Sequence, residues 1–283
     1  MSRARFDIFR SGGEGACAFL PLIDDLSQRV SGESEAAMRA EATLWARGLA
    51  RTAHFLGADA VIIGFDPSFA IAAARADESA PEENPNFAVF LDAIKMLVAT
   101  EKERLGVIAC LPGPCLLAQA LDVATPADAK EESSALVRAV CECRPDMVML
   151  REDDAIGAVG VAHQKSYSAL RNVASYYDIP LCVSIERMNT NEIAPIGKLR
   201  PAFLRLGADA AGAPMTAAQF AAGVEVTGVM EPVDFSDEES ATRAVAAAGE
   251  NGARAITSLG QIAKDCDLEA VRRICGEINK NAA

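Results

Sequence analysis

The chain has 283 residues, of which 51% are hydrophobic, and a formal net charge of −13 at pH 7. This length suits one (β/α)8 barrel of about 250 residues, and the apolar content excludes global disorder. The acidic balance argues against nonspecific nucleic-acid binding, which requires clustered Lys and Arg to neutralise phosphates.

Eight short apolar runs follow one another along the chain and are predicted to be strands. They cover residues 15–23, 59–65, 106–111, 146–151, 180–185, 201–207, 225–230 and 254–259. Each run is apolar on both faces and is bounded by Gly, Pro, Asp or Glu. Such runs are typical of parallel strands that helices cover on both sides.

Longer Ala-rich amphipathic segments lie between most of these runs and are predicted to be helices. They cover residues 35–56, 87–103, 128–143, 163–177, 215–222, 237–250 and 267–279. Asp267 is the predicted N-cap of the last helix, and the region 201–230 has the weakest helical pattern. Eight strands alternating with helices favour an α/β fold, a single (β/α)8 TIM-type barrel over residues 1–283, rather than an open sheet.

One segment departs from this alternation. Residues 73–86, AARADESAPEENPN, are acidic, contain proline and show no apolar period. They predict a mobile loop after the second strand, on the catalytic face of a barrel. The segment is therefore either a lid over a ligand or a solvated surface loop.

The eight cysteines favour a reduced, cytoplasmic protein, because most of them sit singly in apolar runs or in helical patterns. The first 15 residues lack the apolar core of a secretory signal, and no apolar run reaches the length of a membrane span. The Cys141–Cys143 pair has no second pair to complete a zinc site. The nucleotide-binding patterns GxGxxG and GxxxxGK[ST] and the hydrolase pattern GxSxG do not occur.

In a (β/α)8 barrel the active site lies at the carboxyl ends of the strands. The residues that follow the predicted strands are mainly carboxylates. The candidates are Asp24, Asp25, Asp66, Pro112, Gly113, Glu152, Asp153, Asp154, Glu186, Arg187, Asn189, Asp209, Glu231, Ser258 and Gln261. The only histidines, His54 and His163, fall in predicted helices, which argues against a histidine triad or a multi-histidine metal site.

The carboxylates in this set have two interpretations. Asp66 ends the run DAVIIGF, where an aspartate is either a turn residue or a catalytic group. Glu152, Asp153 and Asp154 stand in a row, and crowding of this kind raises a pKa and can tune a group for acid–base chemistry. The alternative is an N-cap followed by two solvated acids.

Five stretches, in this order, resemble the uroporphyrinogen decarboxylase superfamily, and most closely its corrinoid and thiol methyltransferase branch. They are FLPLIDDLSQRVSG (19–32), FLGADAVIIGFDPSFAIAAA (55–74), GVIACLPGPCLLAQAL (106–121), PDMVMLREDDAIGAVG (145–160) and TGVMEPVDF (227–235). The resemblance covers residues 16–279 and implies a (β/α)8 barrel. It places Asp66 where the decarboxylases keep an intermediate-stabilising aspartate, and Glu152 on another family acid.

Two differences from the family reduce the number of activities expected of this chain. Before residue 30 the chain has only Arg3, Arg5, Arg10 and Arg29, and nothing like the arginine motif that grips a tetrapyrrole. An acidic mouth is also a poor host for a polyanion, so porphyrinogen decarboxylation is not expected. The zinc ligands of the thiol methyltransferases are matched here by Ser184, Glu186 and Gln261. No metal site is therefore expected.

Three functions stay open. The first is a zinc-independent methyltransferase or demethylase acting on a small molecule, with no tightly bound cofactor and with a corrinoid protein or a folate as methyl acceptor. Its expected catalytic residues are Asp66, Glu152 and Glu186. Its expected substrate-binding residues are Asp24, Arg29, Pro112, Gly113, Asp153, Asp154, Arg187, Asn189, Glu231 and Gln261.

The second function is a decarboxylase or lyase on a small carboxylic or aromatic substrate. It would need a basic residue in the mouth to hold a carboxylate, and Arg151, Arg187 and Arg205 are the candidates. The third is a non-catalytic binding subunit. An ordered carboxylate cluster would argue against that role, and a mouth filled by apolar side chains would support it.

Overall fold

The computed structural model describes residues 2–15, 17–76, 80–153, 159–188, 193–219 and 225–281. Its eight strands are all parallel and form one sheet in the order β1-β8-β7-β6-β5-β4-β3-β2. The strands are β1 (Ala18–Phe19), β2 (Ala60–Ile63), β3 (Gly106–Pro112), β4 (Met147–Glu152), β5 (Leu181–Arg187), β6 (Phe203–Ala208), β7 (Gly228–Val233) and β8 (Ala255–Ser258). Each overlaps one predicted run, and the (β/α)8 barrel is confirmed.

Helices surround this sheet. They are α1 (Ser2–Ser11), α2 (Asp24–Ser31), α3 (Glu35–Ala40), α4 (Ala42–Leu56), α5 (Ser68–Arg75), α6 (Pro85–Glu101), α7 (Pro114–Ala120), α8 (Lys130–Glu142), α9 (Val161–Tyr176), α10 (Ile193–Gly197), α11 (Glu238–Ala248) and α12 (Leu268–Asn281). Within the described residues, none is both long and apolar enough to cross a membrane.

Three of the predicted helical segments can be compared in detail with the structure. The segment 35–56 is two helices, because Glu41 has an extended backbone with φ of −139° and separates α3 from α4. In the described part of 215–222 there is only a 3₁₀ turn, Ala217–Gln219. Asp267 is confirmed as the cap of α12, since its Oδ1 accepts hydrogen bonds from the backbone of Glu269 and Ala270.

The region 73–86 is less irregular than its sequence predicted. Helix α5 extends to Arg75, and a 3₁₀ turn covers Pro81–Glu83. The Asn84 side chain caps α6 by accepting hydrogen bonds from backbone N–H groups in the first turn of that helix. Residues 77–79 lie outside the described residues. A lid role for this region stays a prediction.

Alternate residues of the strands face the inside of the barrel, where they form a small apolar cluster. It includes Ile108 and Cys110 of β3, Met147 and Met149 of β4, and Cys182 of β5. The intervening residues belong to a larger cluster between the sheet and its helices. This alternation decides which polar residues near the strand ends reach the central cavity.

The amino end of the barrel is filled by α1. Phe6 and Phe9 are buried, and the Phe9 ring lies 4.8 Å from the ring of Phe203 at the start of β6. A side chain at Gly106 or Gly228 would collide with these two rings, which explains the glycines that open β3 and β7. The helix therefore excludes water from the end opposite the candidate site.

Asp59 joins the two strands at which the sheet would otherwise open. Its backbone N–H donates to Phe19 O at 2.8 Å, and its Oδ2 accepts from Phe19 N at 2.7 Å. Arg5 of α1 pairs with the same carboxylate at 2.9 Å. Burial raises the pKa of Asp59 to about 6, although the Phe19 and Arg5 hydrogen bonds lower it. Asp59 thus links β1, β2 and α1.

Candidate functional site

A cavity of about 370 Å³ opens at the carboxyl ends of the strands. The predicted site residues that line it include Asp24, Asp66, Glu186 and Gln261. These residues come from the ends of β1, β2, β5 and β8, so the barrel brings together positions that are far apart in the sequence.

Asp66 is an ion-paired carboxylate on the rim of this cavity. Arg39 of α3 donates to its Oδ2 at 2.5 Å, and Ser68 donates through both its backbone N–H and its hydroxyl. Glu35 pairs with the same Arg39 at 2.8 Å. Partial burial raises the pKa of Asp66, but the Arg39 and Ser68 hydrogen bonds outweigh it, so the pKa is lowered overall. Asp66 is therefore a fixed anion.

Asp24 is held by neutral donors. Trp45 Nε1 donates to its Oδ1 at 3.1 Å, and Phe65 N and Gln261 Nε2 approach its Oδ2 at 3.4 Å each. Burial raises the pKa of Asp24 to about 6, with smaller opposing effects from these donors and from the Arg39 charge. The pKa of Asp24 is raised whereas that of Asp66 is lowered, because no guanidinium contacts Asp24 in the described part of the chain.

Glu186 lies at the floor of the cavity against Arg205, a fully buried residue of β6. Arg205 Nη1 donates to Glu186 Oε1 at 2.5 Å and to Ser184 Oγ at 2.9 Å. Its Nη2 donates to the carbonyl oxygens of Ser258 and Leu259, at 2.9 Å each. Four polar groups from β5 and the end of β8 are therefore organised around one guanidinium.

Arg151 forms another part of the wall. Its guanidinium lies 4.6 Å from the Phe65 ring centroid, donates to Phe65 O at 2.7 Å and pairs with Asp153 at 2.9 Å. Arg205 lies 5.0 Å from the same ring. Phe65 thus makes cation–π contacts with both the wall arginine and the floor arginine.

Glu152 does not line the cavity. It is buried on the outer side of β4, where its carboxylate accepts from Cys115 N, Leu116 N and the Tyr167 hydroxyl. Burial raises its pKa, and these donors lower it. The contacts tie β4 to the first turn of α7 and to α9, so they favour a positioning role over the predicted catalytic role.

Pro112 and Gly113 belong to the same structure. A Cβ atom at Gly113 would lie 2.3 Å from Glu152 Oε1, so the glycine makes room for the carboxylate. Neither residue is in the cavity lining. Their predicted contact with a substrate finds no support in this geometry.

The other predicted binding residues are dispersed. Glu231 is buried and accepts from Ala217 N and Asn251 Nδ2, away from the cavity. Arg29 donates to the carbonyls of Lys264 and Cys266. Arg187 is exposed at the end of β5 and does not line the cavity. Asp154 and Asn189 lie outside the described residues.

Arg39 and Trp45 are cavity residues that the sequence did not predict. They belong to α3 and α4, which follow β1, rather than to a strand end. Gln28 of α2 and Glu35 of α3 were also not predicted and reach the cavity, together with Asp25 of α2, which was a candidate from the sequence. In the sequence, Arg39 is distinguished only by its charge, and Trp45 only as the single tryptophan. Neither property predicts that the side chain points into the cavity.

The lining contains five carboxylates and two arginines. The carboxylates are Asp24, Asp25, Glu35, Asp66 and Glu186, and the arginines are Arg39 and Arg151. Across the described ranges, no group of three His, Cys, Asp or Glu residues has the arrangement of a metal site. All eight cysteines are free. The cavity is thus acidic, with aromatic walls from Trp45, Phe65 and Phe69.

No protein-family model matches the chain, and no curated protein matches its sequence significantly. Among solved structures, the chain is similar to a methyltransferase from Methanosarcina mazei, with 15% identity and a TM-score of 0.76 over 100% of this chain and 99% of that one.

A B12-independent methionine synthase from Shewanella sp. W3-18-1, solved with selenomethionine, has 12% identity and a TM-score of 0.59 over 95% and 96% of the two chains. Dihydrodipicolinate synthase DapA-2 from Bacillus anthracis has 12% identity and a TM-score of 0.47 over 94% and 74%. At these identities the first two likenesses establish a shared TIM-barrel fold, and the third carries no argument.

Proposed function

We propose that this chain transfers a methyl group from a small cationic donor, such as a quaternary ammonium or sulfonium compound, bound in the acidic cavity. The observation that carries the proposal is the excess of carboxylates over arginines in a cavity walled by Trp45 and Phe65. Aromatic faces and fixed anions both stabilise an onium centre. The full-length likeness to a methyltransferase supports the reaction class.

Asp66 is the anion best placed to stabilise such a centre. Its lowered pKa keeps it ionised, and Arg39 and Ser68 fix its orientation. Preorganised charge of this kind needs no rearrangement when the substrate charge changes during transfer. Glu186 supplies a second fixed anion from the floor.

Zinc does not fit the floor of this cavity. Two of the positions where the family resemblance would put zinc ligands, Ser184 and Glu186, both accept hydrogen bonds from Arg205 Nη1. A guanidinium between these groups repels a divalent cation. We therefore propose zinc-independent transfer, and expect activity to survive dialysis against a chelator. Stoichiometric zinc in the purified protein, with activity lost on its removal, would contradict this.

A methyl acceptor would approach from the open side of the cavity. A corrinoid protein or a folate would supply a nucleophilic centre there when bound. The residues of this chain would orient the donor and exclude water from its methyl group. No contact with an acceptor is required for the donor to bind, so donor binding can be tested alone.

The test begins with calorimetric titration of tetramethylammonium, glycine betaine and dimethylsulfoniopropionate into the wild type. We expect saturable binding of at least one, weakened more than tenfold by Asp66→Asn. Asp92→Asn, which alters an exposed carboxylate on α6, is the matched control and should bind normally. Demethylation of the bound donor with a corrinoid or tetrahydrofolate acceptor is then followed by mass spectrometry. If no onium compound binds, the proposal fails.

A carboxylate-directed lyase is a second candidate, favoured by Arg39 and Arg151 in the lining. These two guanidiniums are outnumbered by the five carboxylates of the lining, and each is paired with an acidic side chain. Binding of small carboxylates that is lost in Arg151→Met would favour this function. The non-catalytic alternative gains nothing from an open cavity with ordered carboxylates.

A further inference from the structure

The arginines at the cavity differ in how many of their N–H groups are occupied. Arg39 contacts three side chains, and the buried Arg205 donates to four polar groups. Arg151 makes one polar contact from each terminal nitrogen, to Phe65 O and to Asp153. Its Nε–H has no hydrogen-bond partner among the described residues. Since a guanidinium has five N–H donors, Arg151 retains donors for a ligand.

The acidic partner of Arg151 can be exchanged for a ligand carboxylate. The Asp153 side chain is 49% exposed, and an ion pair this open to water contributes little free energy. The bond to Phe65 O and the Phe65 ring, 4.6 Å away, would hold the guanidinium in place during the exchange. Glu186, on the neighbouring strand β5, is already bound to Arg205. Arg151 is therefore the cavity arginine that is best able to bind a new anion.

The groups that suit a cation lie close to Arg151. The carbonyl to which Arg151 donates belongs to the peptide bond between Phe65 and Asp66, so one peptide group separates this contact from the backbone of Asp66. Trp45 and Phe69 line the same cavity, with ring centroids 5.8 Å apart and ring planes at 90°. A ligand that reaches both Arg151 and this anionic, aromatic part needs opposite charges only a few bonds apart.

We propose that the methyl donor is a zwitterion, an ammonium or sulfonium betaine whose carboxylate binds Arg151 while its onium centre lies against Asp66, Trp45 and Phe69. This inference rests on the proposed function. The onium charge offsets the repulsion between the ligand carboxylate and the acidic lining, whereas a simple carboxylate would meet that repulsion in full. A simple quaternary ammonium ion would leave the free donors of Arg151 unused. Two fixed contacts also orient the methyl group for transfer.

Three ligands of similar shape test the two charges separately. Glycine betaine carries both, tetramethylammonium has only the cation, and 3,3-dimethylbutanoate has only the carboxylate. In calorimetric titrations of the full chain, glycine betaine should bind about tenfold or more tighter than either of the others. Arg151→Met should remove this advantage and leave tetramethylammonium binding within about threefold of the wild type. Arg243→Met, which removes an exposed arginine on α11, is the matched control and should bind all three normally.

Asp153→Asn is a second test that does not depend on the folding of Arg151→Met. It removes the exposed competitor for the guanidinium, so glycine betaine should bind about threefold tighter and tetramethylammonium should not. Unchanged or weaker betaine binding would count against the inference.

The three ligands also separate this inference from the proposed function. If tetramethylammonium binds the wild type as tightly as glycine betaine does, the zwitterion inference is wrong and the onium site stands. If neither cation binds, the proposed function fails as well. If 3,3-dimethylbutanoate binds as tightly as glycine betaine, the cavity recognises a carboxylate alone, and both proposals are overturned in favour of the lyase.

Discussion

Arg205 and Glu186 form an ion pair of 2.5 Å at the floor of the cavity, and the arginine side chain is completely buried. The guanidinium also binds two backbone carbonyls at the end of β8. Charge removed from water at this depth is costly unless its partners stay in place. The pair therefore couples the stability of the barrel to the shape of the cavity.

Replacement of Arg205 by Met should destabilise the fold by about 3–5 kcal/mol, because it leaves Glu186 and the carbonyls without their donor. Urea denaturation monitored by circular dichroism measures this loss. Arg243→Met is the matched control, since its pair with Glu239 is largely exposed, and it should cost about 0.5 kcal/mol or less. Equal losses of stability in the two variants would show that the buried ion pair contributes no more than the exposed one.

Gly113 and Glu152 provide a second prediction. Gly113→Ala would put a methyl group 2.3 Å from Oε1 of Glu152, whose carboxylate is held in place by three hydrogen bonds. We expect a loss of about 1–3 kcal/mol. Gly249→Ala is the control, because its added Cβ meets no atom within 4 Å and should be nearly neutral or stabilising. If both alanines behave alike, the proposed packing of Gly113 against Glu152 is wrong.

The strands could be predicted from the sequence because each is a short apolar run between turn residues. Because these runs are apolar on both faces, the sequence does not show which side of each strand faces the inside of the barrel. Arg151 and Glu152 are neighbours at the end of β4. Arg151 lies on the same side of the strand as Met147 and Met149, which face the inside of the barrel. Glu152 therefore points outward, and its predicted catalytic role has no access to the cavity.

Asp24, Asp66, Glu186 and Gln261 were predictable because they follow strands, and a barrel gathers such positions at one end. Arg39 was not predictable in this way. Its contact with Asp66 joins residues 27 positions apart and depends on how α3 packs over the barrel. Local sequence patterns carry no information on such tertiary contacts.

Asp24 also makes the stability of the fold depend on pH. Its folded-state pKa of about 6 exceeds the value of about 3.9 expected in the unfolded chain. Its contribution to stability is therefore fully present below about pH 4 and is lost as the pH rises through 6. Asp24→Asn does not titrate, so its stability relative to the wild type should rise by on the order of 1–3 kcal/mol between pH 4 and 7.

Urea unfolding of both proteins from pH 4 to 8 measures this difference. Asp59, whose pKa is also raised, is present in both proteins and cancels in the comparison. A pH-independent difference for Asp24→Asn would mean that Asp24 is ionised throughout this range.

The packing of α1 against the barrel leads to the last prediction. Phe9 is 2% exposed, and its ring fills the space between Phe203 and Gly228 at the amino ends of β6 and β7. Phe9→Ala should therefore cost about 3–5 kcal/mol, from lost burial and from the cavity that it leaves. Phe55→Ala is the matched control, because that ring is 39% exposed and lies against Arg272, and its loss should cost about 1 kcal/mol or less. Denaturant unfolding of the two variants compares these costs directly. A loss for Phe9→Ala no larger than that for Phe55→Ala would mean that α1 does not close the barrel in solution, and that water reaches the interior from the end opposite the cavity.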